Sequence, residues 1–305
     1  MRRSRPRLGT RTGLTIAVGA ISTAAILVRL ADAPAISVAF WRSAGGAVLL
    51  APAAWRHLRV GRGLDRRDTQ LVVISGLLLG LHFALWLGSL SFTTVASSVT
   101  LVTSAPVFVA VGAAVLLGER ISRRAWLGIL VTTIGATVIG LGDAGGSAPA
   151  GNAPLGDAMA LAGAAAVAGY LVIGRDMRRR SVPTAVYASG TYAVAAAALL
   201  AAAAVGGRSL WGYGIGTWAA LGGLVLGPQM LGHTMLNEML ERVSATTIAA
   251  VVLFEPVGST LLAWLILGEL PVTAFWVGAP LVLTGLVVVG REEAALLGNA
   301  ATATP

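Results

Sequence analysis

Ala105-Pro-Val-Phe-Val-Ala-Val-Gly-Ala-Ala-Val-Leu-Leu-Gly-Glu119 aligns without a gap on Glu255-Pro-Val-Gly-Ser-Thr-Leu-Leu-Ala-Trp-Leu-Ile-Leu-Gly-Glu269. Pro106 falls on Pro256, Gly118 on Gly268 and Glu119 on Glu269. The same offset carries Trp126 onto Trp276, Gly128 onto Gly278, Gly135 onto Gly285 and Gly140 onto Gly290. Self-similarity at a fixed offset marks a duplicated architecture. In a strongly apolar chain it is the organisation expected of a membrane transporter, with a working site between the halves.

Composition leads to the membrane independently. The chain has 305 residues, is 56% hydrophobic and 11% charged, and has a mean hydropathy of +0.82. Soluble domains carry about 25% charged residues, so too few are present here to coat a surface facing water. Cysteine is absent, which removes disulfides, thiol catalysis and cysteine metal sites. Lysine is absent as well, so all 22 basic residues are arginines. A net charge of +9 suggests nucleic acid at first sight. The arginines, however, sit in short loops between apolar runs, a pattern that orients a membrane protein.

A membrane-crossing helix needs about 20 mostly apolar residues. Ten such spans are expected: 13–31, 35–54, 70–91, 95–117, 124–142, 155–174, 184–205, 216–237, 244–267 and 272–290. The glycine-, alanine- and proline-rich stretch 143–154 links the halves, and the alanine-rich tail after Arg291 reads as disordered. Arg2, Arg3, Arg5 and Arg7, an apolar run and Ala31-Asp32-Ala33 together have the outline of a cleaved signal peptide. Gly13 and Gly19 nevertheless align at the same offset on Gly163 and Gly169, so cleavage would remove a repeat element, and retention is the expectation. With an internal N-terminus, every arginine except Arg29, Arg42 and Arg208 lies on the inner side. That asymmetry places both termini in the cytoplasm. Five spans per unit is an odd number, so the second unit enters from the opposite side. The fold expected is all-α and integral to the membrane: ten transmembrane helices as two inverted five-helix repeats, 13–141 and 155–290.

At this point the chain resembles a known family. Gly232-His-Thr-Met-Leu-Asn237 and Ser244-Ala-Thr-Thr-Ile-Ala-Ala-Val-Val-Leu-Phe-Glu-Pro-Val-Gly258 look like the second half of an EamA-type transporter of the drug/metabolite transporter superfamily. The repeated endings Leu117-Gly-Glu119 and Leu267-Gly-Glu269 fit the same family, as does Phe92-Thr-Thr-Val-Ala-Ser-Ser98 in the first half. The resemblance implies a ten-helix inverted repeat with a central cavity lined by spans 1, 3, 4, 6, 8 and 9. It also implies export or exchange of small metabolites, without naming one.

Glu255 is the leading site candidate. It lies halfway along the ninth span, where an ionised side chain costs about 2.5–3.5 kcal/mol on insertion scales. Pro256 beside it removes a backbone donor and loosens the helix at that point. Glu255 either reads substrate and a coupling ion, the proton being the candidate, or ties two helices by pairing with Arg42 or a hydroxyl. Its repeat mate is Ala105, so the carboxylate breaks the symmetry. Arg42, in the outer third of the second span, reads as a long side chain reaching to the interface, with anion binding as the alternative. His82 and Trp86 stand four apart on one helical face, and His233 and Asn237 repeat that spacing. Either pair lines a pocket or ties helices together. Glu119 and Glu269 read as turn residues favouring the N-terminus of the next helix. Gly76-x-x-x-Gly80 and Gly223-x-x-x-Gly227 read as close-packing faces, with Pro228 a hinge beside the second.

The function expected is secondary transport of a small molecule, amino-acid-like or drug-like, across the lipid bilayer of the cell. No cofactor, no metal site and no nucleic-acid partner is expected. A phosphate-binding Gly-x-x-x-x-Gly-Lys-Ser/Thr loop is excluded for want of lysine. An intramembrane enzyme is the rival, but Ser89 and His82 lack a nucleophile elbow. A membrane scaffold is the other alternative, and it needs no charged residue at mid-span.

Overall fold

The computed structural model describes residues 9–61, 63–89, 92–93, 98, 101–102, 104–142, 152–268, 270–271 and 273–302. Helices account for the secondary structure in those residues: α1 Thr10–Ser22, α2 Ala24–Leu30, α3 Ala35–Val60, α4 Arg66–Ser89, α5 Ala105–Leu117, α6 Arg123–Gly142, α7 Ala153–Arg179 and α8 Thr184–Val205. α9 Ile215–Leu224 then passes through a π-helical stretch, Val225–Thr234, into α10 Met235–Met239. The chain closes with α11 Ala245–Val252, α12 Glu255–Leu267 and α13 Thr273–Thr302. Arg2, Arg3, Arg5, Arg7 and Glu269, most of the linker 143–154 and most of Phe92–Ser98 lie outside the described residues.

Seven helices among the described residues are long and apolar enough to cross a bilayer. Of the other expected spans, the fifth is α6, the fourth is represented by the shorter apolar helix α5, and the eighth is interrupted. Proline explains two interruptions. Pro228 lacks an N–H and its ring crowds the carbonyl one turn back. The backbone there widens into ten residues of π-helix instead of continuing the expected 216–237 helix. Pro256 stands in the first turn of α12, where a missing N–H leaves no bond unmade, and α11 stops at Val252 before it. Its repeat mate Pro106 sits in the first turn of α5 in the same way. Both of these helices then end on a glycine in the left-handed region, Gly118 at φ 66° and Gly268 at φ 70°. A side chain at either position would be strained, and glycine is not. The tail departs from expectation: α13 continues through Arg291 to Thr302. Alanine, leucine and glutamate there are good helix formers, and Glu292 is anchored by Ser122 Oγ at 2.6 Å.

The packing repeats with the sequence. α4 lies on α7, and their images under the offset, 225–234 and α1, lie on each other. α5 on α7 is matched by α1 on α12, and α4 on α8 by α3 on 225–234. Two pairs, α3 with α8 and α6 with α13, are their own images. α6 and α13 cross antiparallel through glycines. A Cβ on Gly135 would come within 2.7 Å of Gly278 O, and one on Gly278 within 2.5 Å of Gly135 O. Gly128 and Gly285 face each other the same way, at 3.0 and 2.6 Å. On α4, Gly76 meets Thr191 O at 2.7 Å, and Gly80 meets Ala195 O at 3.3 Å. These approaches put backbone against backbone, which is how helices gain van der Waals contact where lipid offers no hydrophobic drive.

Candidate functional site

A band of buried polar side chains crosses the middle of the bundle. It begins at Arg42 on α3, which is 8% exposed and donates from Nε to Gln229 Oε1 at 2.8 Å. Arg42 was expected to reach out to the interface, and the structure corrects this. Its guanidinium turns inward and lies over the Phe83 ring, 4.9 Å from the centroid. The reason lies one helix away. The π-helical stretch directs Gln229 at α3, and Gly46 opposite leaves room, since a Cβ there would meet Gln229 Cγ at 2.8 Å. From Gln229 the band runs on. Thr234 Oγ1 donates to Gln229 O at 3.0 Å and lies 3.2 Å from the Tyr192 hydroxyl. Asn237 Nδ2 donates to Tyr170 at 2.7 Å and to Tyr192 at 3.4 Å. Tyr187 meets Ser75 Oγ at 2.5 Å.

Glu255 stands in the first turn of α12, half-buried, where free backbone N–H groups favour a carboxylate. It feels the charge of Arg42 through space, while no ion pair joins the two among the described residues. The turn it occupies presses on α1: Ser259 Oγ donates to Ser22 O at 3.0 Å, and a Cβ on Gly258 would meet Ser22 Cβ at 2.7 Å.

The other candidates divide into two groups. His82 stacks on Trp86 at 5.8 Å and 14°, and its Nδ1 lies 2.9 Å from Gly163 O, which joins α4 to α7. His233 meets Phe83 edge-on at 6.4 Å. Phe83 is thus a shared neighbour of Arg42 and His233, and the His82–Trp86 stack stands beside it. Asn237 lies apart from these, fully buried among Tyr170 and Tyr192. Among the described residues, several buried polar atoms in the band have no protein partner: Gln229 Nε2, Asn237 Oδ1 and Trp86 Nε1. Such atoms in a dry interior carry a desolvation penalty of about 1–3 kcal/mol each, so a ligand that meets them gains. A cavity of about 340 Å³ opens at one end of the band, with Phe83, Ala84, Leu87 and Ile36 in its wall.

Sequence reading passed over Gln229, Tyr170, Tyr187, Tyr192 and Thr234. One signal was present: under the repeat offset Arg42 falls on Tyr192, so both halves place a polar group at the same mid-span position. Polar residues in mid-span deserve the weight given to charged ones, since each must find a partner inside the protein.

The two ends of the bundle close differently. At the arginine-rich end, Glu119 Oε1 accepts from Arg175 at 3.0 Å and from Arg179 at 2.7 Å. Glu119 was read as a turn residue for the following helix, and the structure instead pairs it with α7. Arg178 reaches Glu241 at 2.6 Å, and Arg180 reaches Asp68 at 2.7 Å and Asp65 at 3.2 Å. At the other end, Trp41 donates to Leu210 O at 2.8 Å and meets Trp211 and Trp218 edge-on at 4.6 and 5.1 Å.

A bundle of apolar helices in two similarly packed halves, around a buried polar band, has the make-up of a multi-pass membrane protein. The chain belongs to the EamA-like transporter family, whose pattern it matches over residues 12–141 and 154–291. The pseudopaline exporter CntI of Pseudomonas aeruginosa, strains UCBPP-PA14 and PAO1, is 30% identical over 135 residues. That match spans 42% of this chain and 46% of the exporter, less than half of each. A permease-like protein of Bacillus subtilis strain 168, YdzE, is 35% identical over 57 residues, 19% of this chain and 73% of its own. A solved crystal structure superposes with a TM-score of 0.78 at 24% identity, over 94% of this chain and 98% of that one, and so shares the fold.

Proposed function

We propose that the protein is a secondary transporter that exports or exchanges small metabolites by alternating access, its two halves being inverted five-helix repeats of ten spans in all. The observation that carries the reading is the buried polar band, in which Arg42 is bonded to Gln229, Asn237 is held by Tyr170 and Glu255 acts on Arg42 through space, in a chain otherwise nearly free of mid-span charge. Polar groups at membrane depth are expensive and mark pathways. The reciprocal antiparallel crossing of Gly128 and Gly135 with Gly285 and Gly278 supports inversion, because an axis in the membrane plane exchanges such helices. The halves of the duplication, 13–141 and 155–290, are the repeat units. Glu255, His82, Trp86, His233 and Asn237 contact substrate. Both termini face the cytoplasm, with the arginine-rich end inside.

Within this reading Glu255 couples binding to movement. It stands at the break between α11 and α12, where Pro256 offers no N–H to the turn before it, so a change in its charge acts on a hinge. Glu255→Gln keeps shape and hydrogen bonding but removes titration. The variant should still exchange substrate and lose pH-dependent or uphill transport. Unaltered uphill accumulation would leave Glu255 as a tie between helices.

Transport itself is tested by comparing metabolites accumulated in cells with and without the protein, followed by counterflow of the differing compounds in proteoliposomes. Absence of counterflow for every such compound would favour a scaffold. Orientation is tested in this cysteine-free chain with single cysteines. Arg124→Cys should react only from the cytoplasm and Ser209→Cys only from outside.

A further inference from the structure

We propose that Arg42 is the receptor for a carboxylate, and that the ligand is a small amphiphilic monocarboxylate whose apolar body lies in the cavity beyond Phe83. This deepens the transport reading by naming a substrate class for its central band, but the binding it asserts does not require transport.

A guanidinium has five N–H donors in a planar fork. Among the described residues, the hydrogen bond recorded for Arg42 uses Nε alone, to a neutral amide, and no carboxylate lies within ion-pair distance. A cation this buried is stable only if paired, and the pairing on hand is weak. Gln229 supplies a carbonyl, Phe83 supplies the face of a ring, and Glu255 acts at a distance. The amide beside it is half-used as well: Gln229 Oε1 accepts from Arg42, while Gln229 Nε2 is buried without a partner among the described residues. Two donor groups from neighbouring helices therefore stand together, and a carboxylate has two oxygens. Charge-assisted pairs of this kind are the strong ones, and the fork of arginine suits a planar acceptor.

Phe83 connects this receptor to a space for the rest of the ligand. One face of its ring covers the guanidinium, and the side chain also walls the cavity of about 340 Å³. The rest of that wall is apolar, including Pro34, Ile36, Ala84 and Leu87, except for Arg208, which is exposed to solvent. Phe83 touches both, so movement of its side chain would join the cavity to Arg42. The shape of the joined space calls for an apolar body with one anionic end, and Arg208 at the rim attracts that anion on approach. One charge suits the site better than two. The receptor holds a single cation that already feels Glu255, so a phosphate dianion would remain under-compensated in a low-dielectric interior.

The test is calorimetric titration of the full chain in lipid nanodiscs, with empty nanodiscs as the blank for membrane partitioning. The probes are hexanoate against hexanamide, N-acetyl-leucine against its primary amide, and hexyl phosphate. At least one acid should bind about tenfold or more tighter than its amide, the effect expected of a hydrogen bond to a charged group. Arg42→Gln should erase that preference. Gln229→Glu should erase it too, by giving Arg42 an internal carboxylate, and because it satisfies a buried cation it serves if Arg42→Gln does not fold. Phe83→Leu, which uncovers the guanidinium, should keep the preference. Equal binding of acids and amides, no binding of either acid, or an acid preference that survives in Gln229→Glu overturns the proposal, as does hexyl phosphate outbinding both acids. Counterflow separates this from the transport reading. Acids that bind with the stated preference while no compound shows counterflow leave the receptor standing and remove the transporter. Compounds that move while acids and their amides bind equally do the reverse.

Discussion

The arginine-rich end is held by charge, and the tryptophan-rich end is held by shape. At the first, Asp65, Asp68, Glu119 and Glu241 are gathered by four arginines within one short segment, 175–180, at the end of α7. At the second, Trp41 meets Trp211 and Trp218 edge to face, Tyr213 tilts against Trp218, and Ser37 Oγ and Trp41 Nε1 each donate to a backbone carbonyl of the 206–214 loop. Under the repeat these regions correspond, since the offset carries Asp68 onto Trp218 and Arg178 onto Val28. One ancestral arrangement has been filled with two different chemistries. Ion pairs release when water enters, because each charge can be hydrated on its own. An aromatic cluster loses dispersion and apolar burial on opening and gains nothing from water in return. The two ends therefore answer to different conditions.

The largest effect should follow from Glu119→Ala, which removes the carboxylate that Arg175 and Arg179 share and leaves each with a backbone carbonyl alone. A loss of about 2–3 kcal/mol is expected from hydrogen bonds to charged groups, read as a lower unfolding midpoint in detergent. Asp68→Asn should give about 1–2 kcal/mol, because the side chain is 3% exposed but its partner Arg180 is 27% exposed. Raising the salt to 1 M, where screening acts over about 3 Å, should weaken the arginine-rich end in the wild type and much less so in Glu119→Ala. Trp41→Phe should lose about 1 kcal/mol with its hydrogen bond to Leu210, and salt should leave that loss unchanged. If the losses in Trp41→Phe and Glu119→Ala respond to salt alike, the contrast between the ends fails. Arg124→Ala marks the lower limit. Its side chain is 82% exposed opposite Glu292, and a change under about 0.5 kcal/mol is expected.

Much of the fold could be read from the repeat and from apolar length. The ends of α5 and α12 were visible at Gly118 and Gly268, whereas Pro256 was read as loosening the ninth span and not as the start of a helix. Interruptions inside a span were harder. Pro228 announced a break near Gly227, but a proline gives no sign of whether the backbone will kink, stop or widen; here it widened, and Gln229 and Thr234 found partners on α3 and α8. Arg42 was misjudged for a similar reason. Its depth in the span allowed either an outward or an inward path, and the choice rested on Gln229 and Phe83, which are remote in sequence. Glu119 was mistaken because its partners lie on α7, beyond the link between the halves. Polar pairing across helices has no periodic trace, whereas apolar faces and glycine crossings do.

The glycine crossing of α6 and α13 limits how the two halves can diverge. Elsewhere they have parted freely: Glu255 stands where the first half has Ala105, and Asn237 where it has Leu87. At the crossing, each half is the mould for the other. A methyl group on Gly278 would run into the Gly135 carbonyl, and one on Gly285 into the Gly128 carbonyl, with the reverse equally true. No substitution on either side can be accommodated by its own half alone. Drift at this seam is therefore held in check by mutual fit, while drift in the polar band is free to invent.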